Sequence, residues 1–292
     1  MADLEFFDDP NAFLDVAGEY LSAEPVLNTV VSTVTRRAAD GGLPGGAGPR
    51  WWVAALESDR VVGVAMRTAP APPHPLYVLP MPDQAAVALA RALRDRGERA
   101  LSVNGALPAA RVVAEETARL TNGAARIEER TRLHLLDELV EPVGIPGRLR
   151  TAVPADVDQA LQWFAAFERD AAEQAGRSGA HGPLEPQDEP MMLARIAQRR
   201  LWFWDDAEGR TVHLTGANLP VFGVARVGPV YTPKEQRGRG YASAAVAAVS
   251  RLLLADDVQV CLFTDQANPT SNKIYEALGF RPVVDMANLV VR

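Results

Sequence analysis

The residues best suited to chemistry in this chain stand together in Arg237-Gly238-Arg239-Gly240-Tyr241-Ala242. They join a segment rich in Val and aromatic residues, Phe222–Tyr231, to an alanine-rich one that ends at Leu252-Leu253-Leu254. The first predicts a strand, which Pro233 stops because proline donates nothing to a ladder. The second predicts a helix. A loop that opens a helix points unpaired N–H groups outward, and the helix dipole adds partial positive charge there. Glycines let the backbone come close to an anion, and the two arginines add long-range attraction and forked hydrogen bonds. The ligand that such a loop suits is a pyrophosphate. A phosphate-cradling P-loop needs Gly-Lys-Ser/Thr, and no such run follows Gly240. A dinucleotide fingerprint needs a third glycine where Ser243 stands and a repeated strand-helix-strand unit, so it fits poorly.

A second stretch, Cys261–Phe280, reads as a short apolar strand, a loop and a short helix. Asn268 is a good N-cap, Pro269 suits the first helical position, and Gly279 stands where a left-handed residue ends a helix. Asn272 and Tyr275 are three apart and share one face, while Ile274 and Leu278 are four apart and make the buried stripe. The polar pair is therefore expected to face away from the core.

Arg-x-x-Gly-x-Ala, in Arg237, Gly240 and Ala242 after a strand ending Val230-Tyr231-Thr232, resembles the acetyl-CoA loop of the GNAT acyltransferase superfamily. The stretch Asn-Pro-x-Ser-Asn-x-x-Tyr-x-x-x-Gly-Phe, from Asn268 to Phe280, resembles the motif that closes such domains. The resemblance implies an acyl donor, acetyl-CoA, with no metal. Its diphosphate would lie on Arg237, Gly238, Arg239, Gly240, Tyr241, Ala242 and Ser243. Its pantetheine arm would pair with the backbone of Val230, Tyr231 and Thr232, and touch Asn268 or Asn272. An N–H such as that of Tyr231 would support the oxyanion of a tetrahedral intermediate, and Tyr275 would protonate the departing thiolate. A phenol with a reference pKa near ~10 keeps its proton at neutral pH, as a donor must. The implied reaction is transfer of an acetyl group to an amine.

These residues need a scaffold to hold them, and 292 residues suffice for two domains, each able to bury its own core. A hydrophobic content of 48% with 23% charged residues is that of an ordinary globular chain. The net charge of −7 points away from a nucleic-acid partner. No run is long and apolar enough for a membrane span, and the acidic start, Met1–Asp9, does not read as a secretory signal, so a cytoplasmic protein is expected. Cys261 reads as a small core residue, and the four histidines show no metal-ligand spacing.

In the first half, residues 10–40 read as helical, followed by a Gly/Pro loop at 41–49 and strands at Trp51–Leu56 and Arg60–Thr68 around Ser58-Asp59. A break at Pro70–Pro75 precedes a strand at Leu76–Leu79, a helix at Asp83–Arg96, a strand at Ala100–Val103, a helix at Leu107–Leu120 and a strand at Thr131–Leu136. The second half repeats that order. A strand at Arg148–Thr151 leads to Asp156 as N-cap of a helix; a polar loop at Ala175–Pro190 leads to a helix at Met191–Arg200. Strands follow at Leu201–Trp204, Thr211–Gly216 and Val221–Tyr231, then the anion loop with its helix, the Cys261 strand, the Tyr275 helix and a strand at Val283–Val290. The expected fold is α+β: two GNAT-like mixed-sheet domains in tandem, each a twisted central sheet flanked by helices, over 1–140 and 147–292, with the Val140–Pro146 linker between. The first copy has Pro80-Met81-Pro82-Asp83 where the second has its glycine loop, and so reads as a degenerate domain that lost the coenzyme.

The acceptor is the less legible half. Glu168, Asp205, Asp206 and His213 are candidate bases for the attacking amine, and Trp163, Phe167, Trp202 and Trp204 are candidates to shape its pocket. The acidic balance favours a small cationic acceptor, and the junction of the two domains is a candidate place for it. Two alternatives stand beside the enzyme: an acyl-CoA-binding sensor or assembly module, and a dinucleotide-binding oxidoreductase.

Overall fold

The computed structural model describes residues 3–43, 50–69, 74–174 and 188–292. Residues 44–49 of the expected loop at 41–49, 70–73 of the break at 70–75, most of the loop at 175–190, and the side chain of Glu168 lie outside the described residues. The chain packs as two compact units, Met1–Leu133 with Val283–Arg292, and His134–Pro282.

In the first unit the order is β1 (Asp3–Phe7), α1 (Pro10–Ala23), α2 (Thr29–Ala39), β2 (Trp51–Glu57), β3 (Arg60–Arg67), β4 (Leu76–Val78), α3 (Asp83–Asp95), β5 (Ser102–Ala106), α4 (Ala109–Thr121) and most of β6 (Ala125–Leu136). Local signals explain several ends. The Asp9 carboxylate accepts from the Asn11 N–H at 2.9 Å and Pro10 takes the first position of α1. Ser58 and Asp59 both adopt positive φ, the turn that matches the twist of a two-residue hairpin. The expected helical region 10–40 is broken by 24–28, and β1 precedes it; charged Asp3 and Glu5 alternate with Leu4 and Phe6 in a strand too short to stand out.

The second unit runs β7 (Arg148–Thr151), α5 (Val157–Gln174), α6 (Glu189–Ala197), β8 (Leu201–Asp205), β9 (Thr211–Ala217), β10 (Val224–Tyr231), α7 (Tyr241–Ala255), β11 (Gln259–Asp265), α8 (Pro269–Ala277) and the start of β12 (Phe280–Val291). Asp156 is not the N-cap of α5. It closes a 3-10 turn, where its carboxylate accepts from the Val153 N–H at 2.8 Å and from Arg150 at 2.7 Å. The strand at Phe222–Tyr231 starts later, at Val224, because Phe222 and Gly223 both turn at positive φ.

The strands of the two units share one plan. β1, β2, β3 and β4 pair antiparallel in that order, and β4 pairs parallel with β5. β7, β8, β9 and β10 do the same, and β10 pairs parallel with β11. In both, two helices follow the first strand, one links the parallel pair, and one follows it. The closing strand beside β5 is β12, with Met286 opposite Ala106. Residues 283–292 therefore pack with the first unit rather than with the rest of 147–292.

Each sheet is covered on both faces, which explains strands that are apolar without alternation. In β8, Leu201 and Phe203 pack with α5 and α6, while Trp202 and Trp204 join the clusters that hold α7 and α8. In β2, Trp52 and Ala54 pack with α1, and Trp51, Val53 and Ala55 with α3 and α4. Cys261 is fully buried, as its apolar strand predicts.

Candidate functional site

The site grows from a parting of strands in the second unit. β10 and β11 are in parallel register only from Val224 opposite Gln259 to Arg226 opposite Cys261. Beyond that, β10 stays with β9, Val230 opposite Thr215 and Tyr231 opposite Leu214, after a register shift between Val227 and Val230 where Gly228 and Pro229 stand. Strand groups alternate in direction, so half of the backbone N–H and C=O groups past Arg226 point away from β9 toward the gap. An extended ligand with amides of its own can pair with such an edge.

At the head of the gap lies the loop Thr232–Gly240, with a 3-10 turn at Lys234–Gln236. Gly238 and Gly240 have φ of 78° and 84°, a region that a side chain resists. A Cβ on Gly240 would also stand 2.5 Å from Ile145 Cδ1, in the stretch read as linker. Gly240 caps α7 with no side-chain bond, and Ala244 N–H is the first to find a helical carbonyl, that of Gly240 at 3.0 Å. The N–H groups of Tyr241, Ala242 and Ser243 are left as donors at the positive end of the dipole. Arg239 is exposed and, among the described residues, forms no ion pair; its one contact is 3.5 Å to Glu235 O.

Two residues of this loop behave differently from expectation. Arg237 turns back into the protein: Nε donates to Thr232 O at 2.9 Å and Nη2 to Asp170 Oδ2 at 2.5 Å. Two of its three nitrogens are thus spent on the fold. The Tyr241 ring is buried with Trp204, Val212 and Ala245, so only its backbone reaches the loop surface.

The second motif folds as its signals dictate. Asn268 Oδ1 accepts from Ser271 N–H at 3.1 Å, Pro269 opens α8, and Gly279 ends it at φ 98°. Asn272 Nδ2 donates to the carbonyls of Asp265 and Gln266 at 3.3 and 3.5 Å, holding the turn between β11 and α8. Tyr275 does not face away from the core. It is more buried than Ile274, clusters with Val227, Leu262 and Leu278, and meets Phe280 edge-on at 5.8 Å. Val230 packs against the same cluster. Burial pushes the Tyr275 phenol well above the ordinary tyrosine range, and among the described residues no group hydrogen-bonds to its hydroxyl.

The described base candidates, Asp205, Asp206 and His213, are otherwise employed. Asp205 accepts from Arg150 Nε and Thr211 Oγ1, both at 2.9 Å. Asp206 accepts from Arg210 Nε at 2.9 Å and from two backbone N–H groups, closing the turn after β8. His213 is wholly buried, with one ring nitrogen 2.7 Å from Thr232 Oγ1 and the other 2.7 Å from Thr215 Oγ1; burial pulls its pKa down to about 3. The aromatic candidates fall on two faces. Trp163 meets Tyr231 and Phe203 edge-on at 5.9 and 5.7 Å, with Phe167 beside that cluster, whereas Trp202 and Trp204 lie on the α7 side.

Sequence reasoning missed Asp170. Its carboxylate takes Arg237, accepts from the Tyr231 hydroxyl at 3.3 Å and stands 3.7 Å from Lys234 Nζ. Burial, with that carboxylate adjacent, raises the Tyr231 phenol. Asp170 sits in an acidic helix end 67 residues before its partner, where local spacing carries no signal. Among the described residues no three His, Cys, Asp or Glu gather as metal ligands, and no helix is long and apolar enough to cross a membrane.

Residues 211–288, which hold β9, β10, the loop, α7 and α8, match the family described as FR47-like protein. No curated protein matches the chain. Among solved structures, it is similar over 99% of its length to a GNAT-family acetyltransferase from Colwellia psychrerythraea, 12% identical, covering 100% of that chain with a TM-score of 0.56. A GCN5-related N-acetyltransferase from Sphaerobacter thermophilus is 16% identical, with 99% of this chain and 95% of that one covered and a TM-score of 0.57. A tandem GNAT protein from the clavulanic acid biosynthesis pathway is 14% identical, with 99% and 98% covered and a TM-score of 0.56. The fold is therefore that of GNAT domains in tandem, an α+β architecture with mixed sheets and flanking helices.

Proposed function

We propose that the second unit binds acetyl-CoA and transfers its acyl group to a small amine by direct attack. The observation that carries this reading is the meeting of two features: an unpaired edge along Val227–Tyr231, and beside it a helix start with free N–H groups behind two positive-φ glycines. One suits the amides of a pantetheine arm, the other a diphosphate. Arg239 adds the unpaired positive charge, while Arg237 holds the loop in shape.

In this reading the N–H groups of Tyr241, Ala242 and Ser243 hold the diphosphate, and the backbone of Val230, Tyr231 and Thr232 aligns the arm. Asn268 and Asn272 keep the opposite wall in place. A backbone N–H at Tyr231 stabilises the oxyanion formed when the amine attacks the thioester carbon. Tyr275, kept protonated by burial, gives its proton to the sulfur as the carbon–sulfur bond breaks. The amine's own proton leaves to solvent; among the described carboxylates, Asp170, Asp205 and Asp206 are each bound to an arginine. Trp163 and Phe167, beside Tyr231, form the apolar wall on the acceptor side. The net charge of −7 favours a cationic acceptor.

Calorimetric titration with acetyl-CoA and with NAD, then thiol release across a panel of small amines, tests the reading. Binding of acetyl-CoA with thiol release supports it, and no binding of acetyl-CoA overturns it. Binding without release with any amine favours the sensor.

A further inference from the structure

The geometry points to Asp170, Arg237, Thr232 and His213 as one positioning network that sets the shape of the 232–240 loop before any ligand arrives. The role rests on the coenzyme reading above, because that loop is where the diphosphate is proposed to bind. None of the four is placed to touch the reacting atoms; they act through the backbone they hold.

The network is continuous. Thr232 is its hub: the hydroxyl stands 2.7 Å from His213 on β9, and the carbonyl accepts from Arg237 Nε at 2.9 Å. Arg237 passes the connection to Asp170 on α5, and Asp170 also receives the Tyr231 hydroxyl. On the other side, the second nitrogen of His213 meets Thr215 at 2.7 Å, and Thr215 stands opposite Val230 in the β9–β10 register. The residues proposed to align the arm, 230–232, are thereby gripped on both faces of the sheet.

Each part suits holding better than ligand binding. A neutral imidazole offers one donor and one acceptor, which two threonine hydroxyls can satisfy together. An apolar residue at 213 would leave the Thr215 hydroxyl buried without this partner, since Thr215 is fully buried, and would release Thr232. Arg237 is offset by Asp170, so its charge does not compete with Arg239 for an anion, while its fork fixes two points of the chain at once. The link to α5 also ties the acceptor-side helix to the donor loop, so a change at Asp170 is felt by a ligand that it never touches.

The test uses the full chain and two readouts. Hydrogen exchange at residues 232–240 without ligand reads the network itself, and calorimetry with acetyl-CoA reads its effect. Asp170→Asn and His213→Phe should each speed exchange in the loop and weaken acetyl-CoA by about tenfold, the loss of one hydrogen bond to a charged or buried group. His213→Gln, whose amide also donates and accepts, should restore most of both. In the double variant Asp170→Asn with Arg237→Gln, the second change should add little to the first. Should His213→Phe fail to fold, the partly exposed Asp170 still decides, since its variant leaves the core intact. Unchanged exchange in Asp170→Asn, or full additivity in the double variant, overturns the network. If the natural chain binds no acetyl-CoA while the variants still loosen the loop, the coenzyme reading falls and the network stands.

Discussion

A phenol that gives its proton to a leaving thiolate must stay protonated until the moment of transfer, and burial does this for Tyr275, the proposed donor. Replacing Tyr275 by Phe keeps the ring and its packing against Phe280 while deleting the proton. Turnover should fall by roughly 100-fold, with acetyl-CoA affinity within about threefold of the natural chain; steady-state kinetics beside calorimetry read the two, and unchanged turnover removes Tyr275 from the mechanism. His213 makes a prediction about stability rather than rate. Its folded pKa of about 3 lies below the ordinary histidine value, so between the two the unfolded chain binds a proton that the folded chain does not. The stabilisation is complete above the unfolded value and is lost as pH falls toward 3. From pH 7 to 4.5 the natural chain should lose about 2–3 kcal/mol more than His213→Gln, a difference seen by denaturant unfolding at each pH.

The start of α7 is the proposed donor site, so a change there should separate stability from binding. An aspartate at position 243 lies in the first helical turn, where its charge favours the dipole by about 0.3–1 kcal/mol. The same charge occupies the place proposed for a diphosphate. Ser243→Asp should therefore leave thermal stability equal or slightly higher while weakening acetyl-CoA at least about tenfold; equal affinity would move the anion elsewhere. This element was legible because its signals are local. Glycine spacing, the proline stop and the change to an alanine-rich run fix a strand, a loop and a helix start within 20 residues, and Asn268-Pro269 with Gly279 bracket α8 to the residue. What was not legible is set by contacts far apart in the chain. Tyr275 is buried despite sharing a face with Asn272, because a nine-residue helix is rotated by what it docks on, here the apolar face of β11 and Phe280. Arg237 looks like an anion ligand until Asp170 is brought beside it, and Ile145 looks like linker until it lies against Gly240.

At the scale of the molecule, one plan was built twice, and only the second copy is proposed to hold the coenzyme. The parallel pair β4–β5 and its helix α3 stand in the first unit as β10–β11 and α7 do in the second. The connection that matters differs. From β4 the chain reaches α3 through Leu79-Pro80-Met81-Pro82, where two prolines supply no N–H, and Asp83 puts a negative charge at the helix start. Met81 is buried against Gly63, where a Cβ would stand 2.3 Å from its own, so the turn is held by packing rather than opened by glycine. An anion meets a like charge there, beside a turn whose prolines donate nothing. Calorimetric titration should accordingly give about one acetyl-CoA per chain, and Ser243→Asp alone should remove most of the binding signal. A stoichiometry near two, or a tight site that survives Ser243→Asp, would mean that the first unit holds a donor by groups other than a helix start. In that case the coenzyme site would have to be sought again in both halves.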